Sequence, residues 1–402
     1  MRKLLHTALG ILTSVGGFLE IGSVVTAMQA GAEFGYRLLW VVALGTAAAI
    51  SLTEMSGRFA AASQRAFGDA LRERLGFPVY AAVLLGLGVT SLLVLGAEIT
   101  GLAVALELAS GVMFPLWALP AGFLVWLILW KGKFGLIEYG VSTLGLVTLA
   151  FVASAVRLHP AAGELLAGLV PTGPPAQPAR YWFLAVSILG ATVTPYLFYF
   201  YSSGAIEDGW DTRHIGTNRV VAAVGMGFGG TLSAAVLVTA ALALPGTRIE
   251  QYRQLPLALS GVFGRAGFWL FVVSLWIGCL GAALEVTLAL GYLLAQGLGW
   301  RWGEDLPPRE AARFVLGYCA IVLAGTVFAV AGIDALALTN LAMALSSAVL
   351  PLALAPLFLF MNDRRFLGRH RNGWVANGAL VVIVLMALVL FVVSLPLAIT
   401  GS

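Results

Sequence analysis

The stretch "SVGGFLEIGSVVTAMQAGAEFGY", residues 14–36, has the apolar character of a membrane span but carries a carboxylate, Glu20. A charged group in mid-membrane costs about 2.5–3.5 kcal/mol even on lenient insertion scales, so such a residue indicates a functional site. Gly16, Gly17 and Gly22 weaken the helix on both sides of Glu20. The stretch therefore predicts a first membrane helix that is interrupted near its acid.

The composition of the whole chain supports a membrane protein. Of its 402 residues, 60% are hydrophobic and 10% are charged, whereas soluble proteins carry about 25% charged residues. Apolar runs of about 20 residues recur and are continuous rather than alternating, which argues against a β-barrel. We predict an all-α polytopic membrane protein. The sequence contains no HExxH or other catalytic signature, so we predict that it is not an enzyme.

Eleven apolar runs are candidate spans. They lie near residues 8–31, 37–57, 78–108, 113–130, 135–157, 181–204, 217–245, 266–298, 311–331, 335–360 and 374–399. With the N-terminus in the cytoplasm, 17 of the 23 Lys and Arg residues fall on the inner side, as the positive-inside rule requires. We expect a multi-pass protein of the cell inner (plasma) membrane with an extracytoplasmic C-terminus. The net charge of +4 thus reflects topology, and we expect no nucleic-acid partner.

The Pro-rich stretch "HPAAGELLAGLVPTGPPAQPAR", residues 159–180, divides the first ten spans into five and five. An odd number of spans in each half inverts the second half relative to the first, as in transporters built from inverted repeats. We predict a first repeat over 1–160, an extracellular linker over 161–180, a second repeat over 181–362, and a final span with the C-terminus over 363–402.

The second predicted break lies in "LGATVTPYLFYFYSS", residues 189–203, at the place in the second half that corresponds to Glu20 in the first. Pro195 has no backbone N–H and clashes with the carbonyl four residues before it, so carbonyl groups near Ala191 are freed. In inverted-repeat transporters the substrate site lies at mid-membrane between two such interrupted helices. We predict the site between Gly22 on the first helix and Pro195 on the second.

Several stretches together resemble the Nramp family of divalent-metal transporters. The stretch "EIGSVVTAMQAGAEFGYRLLW" resembles the family's first-helix signature, and "LGATVTPYLFYFYS" resembles its sixth-helix motif. The third-helix and tenth-helix motifs are matched by "GAEITGLAVALEL" and "PLALAPLFLFMNDRRFLG". The resemblance implies a LeuT-type fold of 11 transmembrane helices, with two inverted five-helix repeats plus one helix and with helices 1 and 6 broken.

The resemblance also shows where this chain departs from the family pattern. The family's metal-binding Asp falls on Glu20 and its metal-binding Met falls on Thr194, while Ala191, whose carbonyl would be a ligand, is kept. Other substitutions place Ser23 where the family has Asn, Ile21 for Pro, Tyr196 and Tyr201 for two histidines, and Leu95 for an Asp. The family's third-helix Glu is retained as Glu98.

The remaining candidate ligands are all oxygen atoms. They are the Glu20 carboxylate, the hydroxyls of Ser23 and Thr194, and backbone carbonyls around Gly17 and Ala191. Oxygen-only sites favour hard cations, whereas a thioether favours softer transition metals. We therefore expect a secondary transporter that moves a divalent cation inward by alternating access, with Mg²⁺ or Mn²⁺ preferred. The cation is the substrate, and no cofactor is expected.

Other residues complete the predicted site. Ile21, Tyr196, Leu197 and Tyr201 are expected to line the pocket, and Glu98 and Glu285 are candidates for coupling. Because no His or Asp lies within a predicted span, we expect the family's usual proton coupling to be weakened or absent.

Two alternatives remain open at this point. Glu20 can instead be a protonated residue that closes the cavity, and the protein would then be an Nramp-like carrier of a non-metal small solute that has lost metal binding. Outside the site, Glu54 lies four residues before Arg58 and is expected to form a helix-face ion pair. A monomer in the lipid bilayer is compatible with the sequence.

Overall fold

The computed structural model describes residues 20–131, 146–171, 177–304 and 306–400, with the side chains of 390, 391 and 393–400 left aside. Within these ranges every regular element is a helix. The α-helices are α1 (Ile21–Phe34), α2 (Leu39–Ser63), α3 (Phe67–Ser110), α4 (Phe114–Lys131), α5 (Leu149–Arg157), α6 (Ala162–Gly168), α7 (Pro178–Thr192), α8 (Pro195–Glu207), α9 (Ile215–Ala243), α10 (Leu257–Phe263), α11 (Arg265–Leu298), α12 (Ala312–Val330), α13 (Ala335–Asn362), α14 (Arg364–Leu367) and α15 (Trp374–Thr400).

The predicted spans coincide with these helices wherever the structure describes them. In the described ranges, eight helical stretches are long and apolar enough to cross a membrane when α1 is counted with α2 and α7 with α8, and a ninth is bent by 117° between α5 and α6. The prediction of a polytopic all-α protein is confirmed. The first half of the span over 8–31 and residues 135–145 of the fifth span lie outside the described residues.

Two connections that the sequence leaves as loops contain helix. The first nine residues of α3, Phe67–Leu75, precede the predicted span and are separated from it by Gly76, whose φ of 82° no other residue type adopts easily. The predicted extracellular linker begins with the short helix α6 and ends in the first turn of α7. Hydropathy alone does not detect such short helices, because they lack a continuous apolar run.

Helix α1 lies at the centre of the bundle. It packs against α7, α9 and α13, and its residues from Ile21 to Ala32 are all buried. The approach of α9 requires a glycine: a Cβ added at Gly31 would lie 2.1 Å from the carbonyl oxygen of Leu237. Small residues let membrane helices approach this closely.

Ion pairs fasten the helices at both ends of the bundle. Arg180 at the start of α7 binds Glu33 near the end of α1, with 2.8 Å between Nη2 and Oε1. On the predicted cytoplasmic side, Arg58 Nε lies 3.0 Å from Glu54 Oε1, so the predicted helix-face pair is confirmed. Both pairs lie towards the ends of their helices. The residues around the two predicted breaks lie between them, in the apolar middle of the bundle.

Replacement of Gly31 by Ala should destabilise the protein. The added methyl group must push α9 away from α1, and overpacking of this kind costs about 1–3 kcal/mol. Thermal unfolding in detergent should therefore shift to a lower temperature. Gly227→Ala, on α9, is the control, because no atom lies within 4 Å of its added Cβ. Equal melting temperatures for the two variants would contradict the packing role given to Gly31.

Candidate substrate site between the two helix breaks

Glu20 lies at the start of α1 in an extended conformation, with φ −79° and ψ 164°. Its carbonyl oxygen accepts the first helical hydrogen bond, from Val24 N at 3.2 Å, while its side chain does not cap the helix. The side chain is instead turned into the protein, and the residue is only 1% exposed. Its free carboxylate oxygen Oε1 has no hydrogen-bond partner among the described residues. Such a buried, unpaired acceptor requires a physical explanation.

The second break separates α7 from α8. Val193 (φ −122°, ψ 62°) and Thr194 (φ −69°, ψ 125°) are not helical, and Pro195 begins α8. In a continuous helix the Ala191 carbonyl would accept from the nitrogen of residue 195, but proline has no hydrogen to donate. The break predicted at Pro195 is therefore confirmed, and the Ala191 carbonyl loses its helical partner.

Two contacts join the breaks to each other. Ser23 Oγ donates to the freed Ala191 carbonyl oxygen at 3.4 Å, and Tyr196 Oη donates to Glu20 Oε2 at 3.3 Å. These residues and Thr194 are all buried. Five of the predicted site residues are thus brought together: Glu20 and Ser23 at the start of α1, Ala191 at the end of α7, Thr194 in the break, and Tyr196 in the first turn of α8.

Two more carboxyl groups lie near Glu20. Glu98 on α3 accepts a hydrogen bond from Ile21 N, at 3.4 Å to Oε2, and so satisfies the first free N–H of α1. The other oxygen of Glu98, Oε1, is buried without a partner in the described part of the chain. Glu285 on α11 is half-buried and interacts electrostatically with Glu20 and with Tyr196. Three ionised carboxyl groups would repel one another, so the cluster would favour a positively charged occupant.

The acids are nevertheless not drawn together as metal ligands. In the described ranges no three His, Cys, Asp or Glu side chains are close enough to hold a metal ion together. A cation between the breaks would have to be held by the Glu20 carboxylate with hydroxyls and backbone carbonyls. This is the kind of ligand set that the sequence predicts.

Three of the predicted residues require comment. Gly22 is not the break, because α1 begins at Ile21 and places Gly22 in its first turn; the extended residue is Glu20. Tyr201 lies five residues beyond Tyr196, which turns it about 140° around α8, and its ring packs at 6.0 Å against Trp210. It is therefore directed away from the face that meets Glu20. Gly17 lies outside the described residues.

Gly22 has a packing role instead. A Cβ on Gly22 would lie 2.4 Å from Met343 Sδ, and a Cβ on Gly190 would lie 1.9 Å from the Met343 carbonyl oxygen. Met343, on α13, is fully buried. It therefore contacts α1 next to one break and α7 next to the other.

Sequence reasoning missed two residues at this site. Met343 lies in an apolar run with no distinguishing pattern. Cys279 on α11 is buried with its thiol interacting with the Glu98 carboxyl, and a Cβ on Gly101 would lie 2.5 Å from its Sγ. Neither residue carries a local signal, since both positions are fixed by the approach of other helices.

Comparison with known proteins identifies the family. The family model for natural resistance-associated macrophage protein-like proteins, Nramp, matches residues 10–396. The chain belongs to the Nramp family. The divalent metal cation transporter MntH of Aeromonas hydrophila is 29% identical to this Nramp protein. The match covers 96% of this chain and 95% of the Aeromonas protein. The MntH of Deinococcus radiodurans is 27% identical over 92% and 85%.

Solved structures show the same fold. The Eremococcus coleocola manganese transporter, in complex with an aromatic bis-isothiourea substituted compound, matches this Nramp protein with a TM-score of 0.75 at 18% identity, over 98% of this chain and 85% of that chain. MhsT in complex with L-phenylalanine matches with a TM-score of 0.62 at 15% identity, over 97% and 98%. The predicted LeuT-type fold is thereby confirmed.

Replacement of Glu98 tests its role at the start of α1. Glu98→Leu leaves the Ile21 N–H buried without an acceptor, which costs about 1–3 kcal/mol. Glu98→Gln keeps an amide oxygen at the same place and should lose much less stability. Thermal unfolding in detergent, followed by tryptophan fluorescence, measures both. Equal losses for the two variants would show that Glu98 does not hold the helix start.

Proposed function

We propose that this Nramp-family protein is a secondary transporter that moves a divalent cation inward by alternating access. The relatives named above are divalent metal cation transporters, which supports the substrate class. The two breaks contact each other through side chains from α1 and α8, so a relative movement of these helices would rearrange the site. In inverted-repeat transporters such movement exposes the site to each side in turn.

The observation that carries this proposal is the unpaired oxygen of Glu20. Its Oε1 is buried with no partner in the described residues, and Ser23, three residues further along the chain, contacts the Ala191 carbonyl that Pro195 frees. A divalent cation would bind to this oxygen and to the carbonyl, replacing some of its waters. The Ser23 hydroxyl donates to Ala191 in this conformation. Its oxygen also carries lone pairs that could coordinate the cation.

The ion preference follows from the ligand atoms. Carboxylate, hydroxyl and carbonyl oxygens favour Mg²⁺ or Mn²⁺ over soft ions such as Cd²⁺. Thr194 offers a hydroxyl where the family has a thioether. Mg²⁺ binds through few protein ligands and keeps several waters, so a site with a single ligating carboxylate is compatible with it.

We also propose that proton coupling is weak or absent. Tyr196 and Tyr201 stand where the family has histidines, and the ordinary pKa of tyrosine, near 10, is too high for proton exchange at neutral pH. Glu20 and Glu98 would have to carry any proton movement themselves. The membrane potential would then supply the driving force for cation entry.

A specific observation supports the alternative of a non-metal solute carrier. No group of three potential ligand side chains is assembled in the described ranges. In this alternative Glu20 is protonated, and Ser23, Thr194 and Tyr196 shape a pocket for a small polar solute. The experiment below separates the two functions.

Calorimetry on the detergent-purified protein should detect binding of Mg²⁺ or Mn²⁺ and weaker binding of Cd²⁺. Glu20→Gln should weaken binding at least about tenfold, equivalent to 1.4 kcal/mol, because it removes the negative ligand. Glu164→Gln is the control, since it removes an exposed carboxylate on α6, away from the breaks. An absence of heat with every metal would favour the solute carrier.

The thioether of Met343 provides a second control for the ion preference. Its sulfur packs against Gly22, next to the predicted ligands. Met343→Leu should leave the order of metal affinities unchanged if only oxygen atoms bind the ion. A selective loss of Cd²⁺ binding in this variant would contradict the oxygen-only site.

Uptake into proteoliposomes tests the coupling. With an internal pH dye, Mn²⁺ entry driven by a potassium diffusion potential should proceed with little or no acidification, because the tyrosines do not exchange protons. Stoichiometric acidification that accompanies metal entry would overturn the proposal of weak coupling.

A further inference from the structure

The segment that connects α13 to α15, residues 363–373, carries an exposed cluster of positive charge. Arg364, Arg365, Arg369 and Arg371 are all exposed. Within the described ranges none of the four lies within 4 Å of a carboxylate, and the acid of the segment, Asp363, pairs with Arg74 on α3 at 3.3 Å. We call this segment the arginine turn. Arg369 Nε and Arg371 Nε donate hydrogen bonds inside the turn, to His370 Nε2 and to the Gly368 carbonyl oxygen. The terminal guanidinium nitrogens of the four arginines are therefore available to an anionic partner.

Hydrogen bonds from Arg58 of α2 hold the backbone of the arginine turn in place. Arg58 Nη1 donates to the His370 carbonyl oxygen at 2.7 Å, and its Nη2 donates to Asn372 Oδ1 at 2.8 Å. Asn372 N donates in turn to the Met361 carbonyl oxygen at 2.9 Å. The charged face is thus preorganised, which lowers the entropic cost of binding a partner.

Aromatic packing holds the middle of the arginine turn. The ring of Phe366 lies 5.6 Å from Phe59 and 5.5 Å from Phe360, and Leu367 is buried. These apolar side chains point into the bundle while the neighbouring arginines are exposed. The turn is therefore a small amphipathic surface rather than an unsupported loop.

The position of the arginine turn places it at the membrane surface. It joins the ends of two apolar helices, and Trp374, the first residue of α15, is 87% exposed. Val375 beside it is also exposed. Tryptophan is enriched where membrane helices meet the lipid headgroups. In a bilayer this position would set the four guanidinium groups at the level of the headgroup phosphates.

We propose that the arginine turn binds the headgroups of anionic phospholipids. Guanidinium groups form bidentate hydrogen bonds with phosphate oxygens, and clusters of four or more basic residues next to a membrane helix attract anionic lipid. The positive-inside bias accounts for the sign of the charge on this face. That bias does not account for the hydrogen bonds from Arg58 that hold the backbone of the turn, or for the exposed tryptophan beside the arginines.

The test uses the full-length protein in neutral detergent, mixed with either phosphatidylglycerol or phosphatidylcholine. Phosphatidylglycerol should raise the unfolding temperature more than phosphatidylcholine, and native mass spectrometry should show it retained on the protein. Arg364→Gln combined with Arg365→Gln should remove at least half of the difference. The variant with all four arginines replaced by Gln should remove nearly all of it.

The matched control is Arg309→Gln combined with Arg313→Gln. Both residues are exposed, and both belong to the face that is predicted to be cytoplasmic, so the charge change is the same. This variant should keep the wild-type response, and inorganic phosphate should not reproduce the stabilisation. Equal losses for the two double variants would reduce the effect to general charge and overturn the proposal, as would an equal response to phosphatidylcholine or to phosphate.

Discussion

The absence of a hydrogen on the nitrogen of Pro195 is the constraint on which the site depends. In a bilayer, a backbone carbonyl without a helical partner must be satisfied inside the protein or used by a ligand. Here the freed carbonyl of Ala191 meets the hydroxyl of Ser23 from the other break. One missing donor thus creates both a buried carbonyl group without a helical partner and the contact that brings α1 to the end of α7.

The start of α1 meets the same constraint by different means. Its first N–H group has no carbonyl to bind, and Glu98 from α3 supplies a carboxylate oxygen. The acid of the break itself, Glu20, is left to Tyr196 on one oxygen and to no described partner on the other. The two acids therefore have separate tasks: one stabilises the helix start, and the other stays available. Both tasks follow from the start of α1 at Ile21.

The sequence predicts the parts of this structure that depend on local chemistry. Membrane spans follow from continuous apolar runs, and the second break follows from the covalent structure of Pro195. The role of Gly22 was predicted wrongly, because a glycine before a break and a glycine for close packing look alike until the neighbour, Met343, is known. The direction of Tyr201 depends on the rotation of α8, and Cys279 reaches Glu98 only through the approach of α11. Such features require the tertiary arrangement of helices.

Met343 is a spacer shared by the two discontinuous helices, since it touches Gly22 through its sulfur and Gly190 through its main chain. A side chain with three rotatable bonds adapts to changes in its surroundings more readily than a branched one. Rotation about those bonds would let α1 slide past α13 while the main-chain contact to α7 stays in place. The two halves of the substrate site therefore contact α13 in different ways: α1 through a flexible side chain, and α7 through the main chain, which cannot adapt.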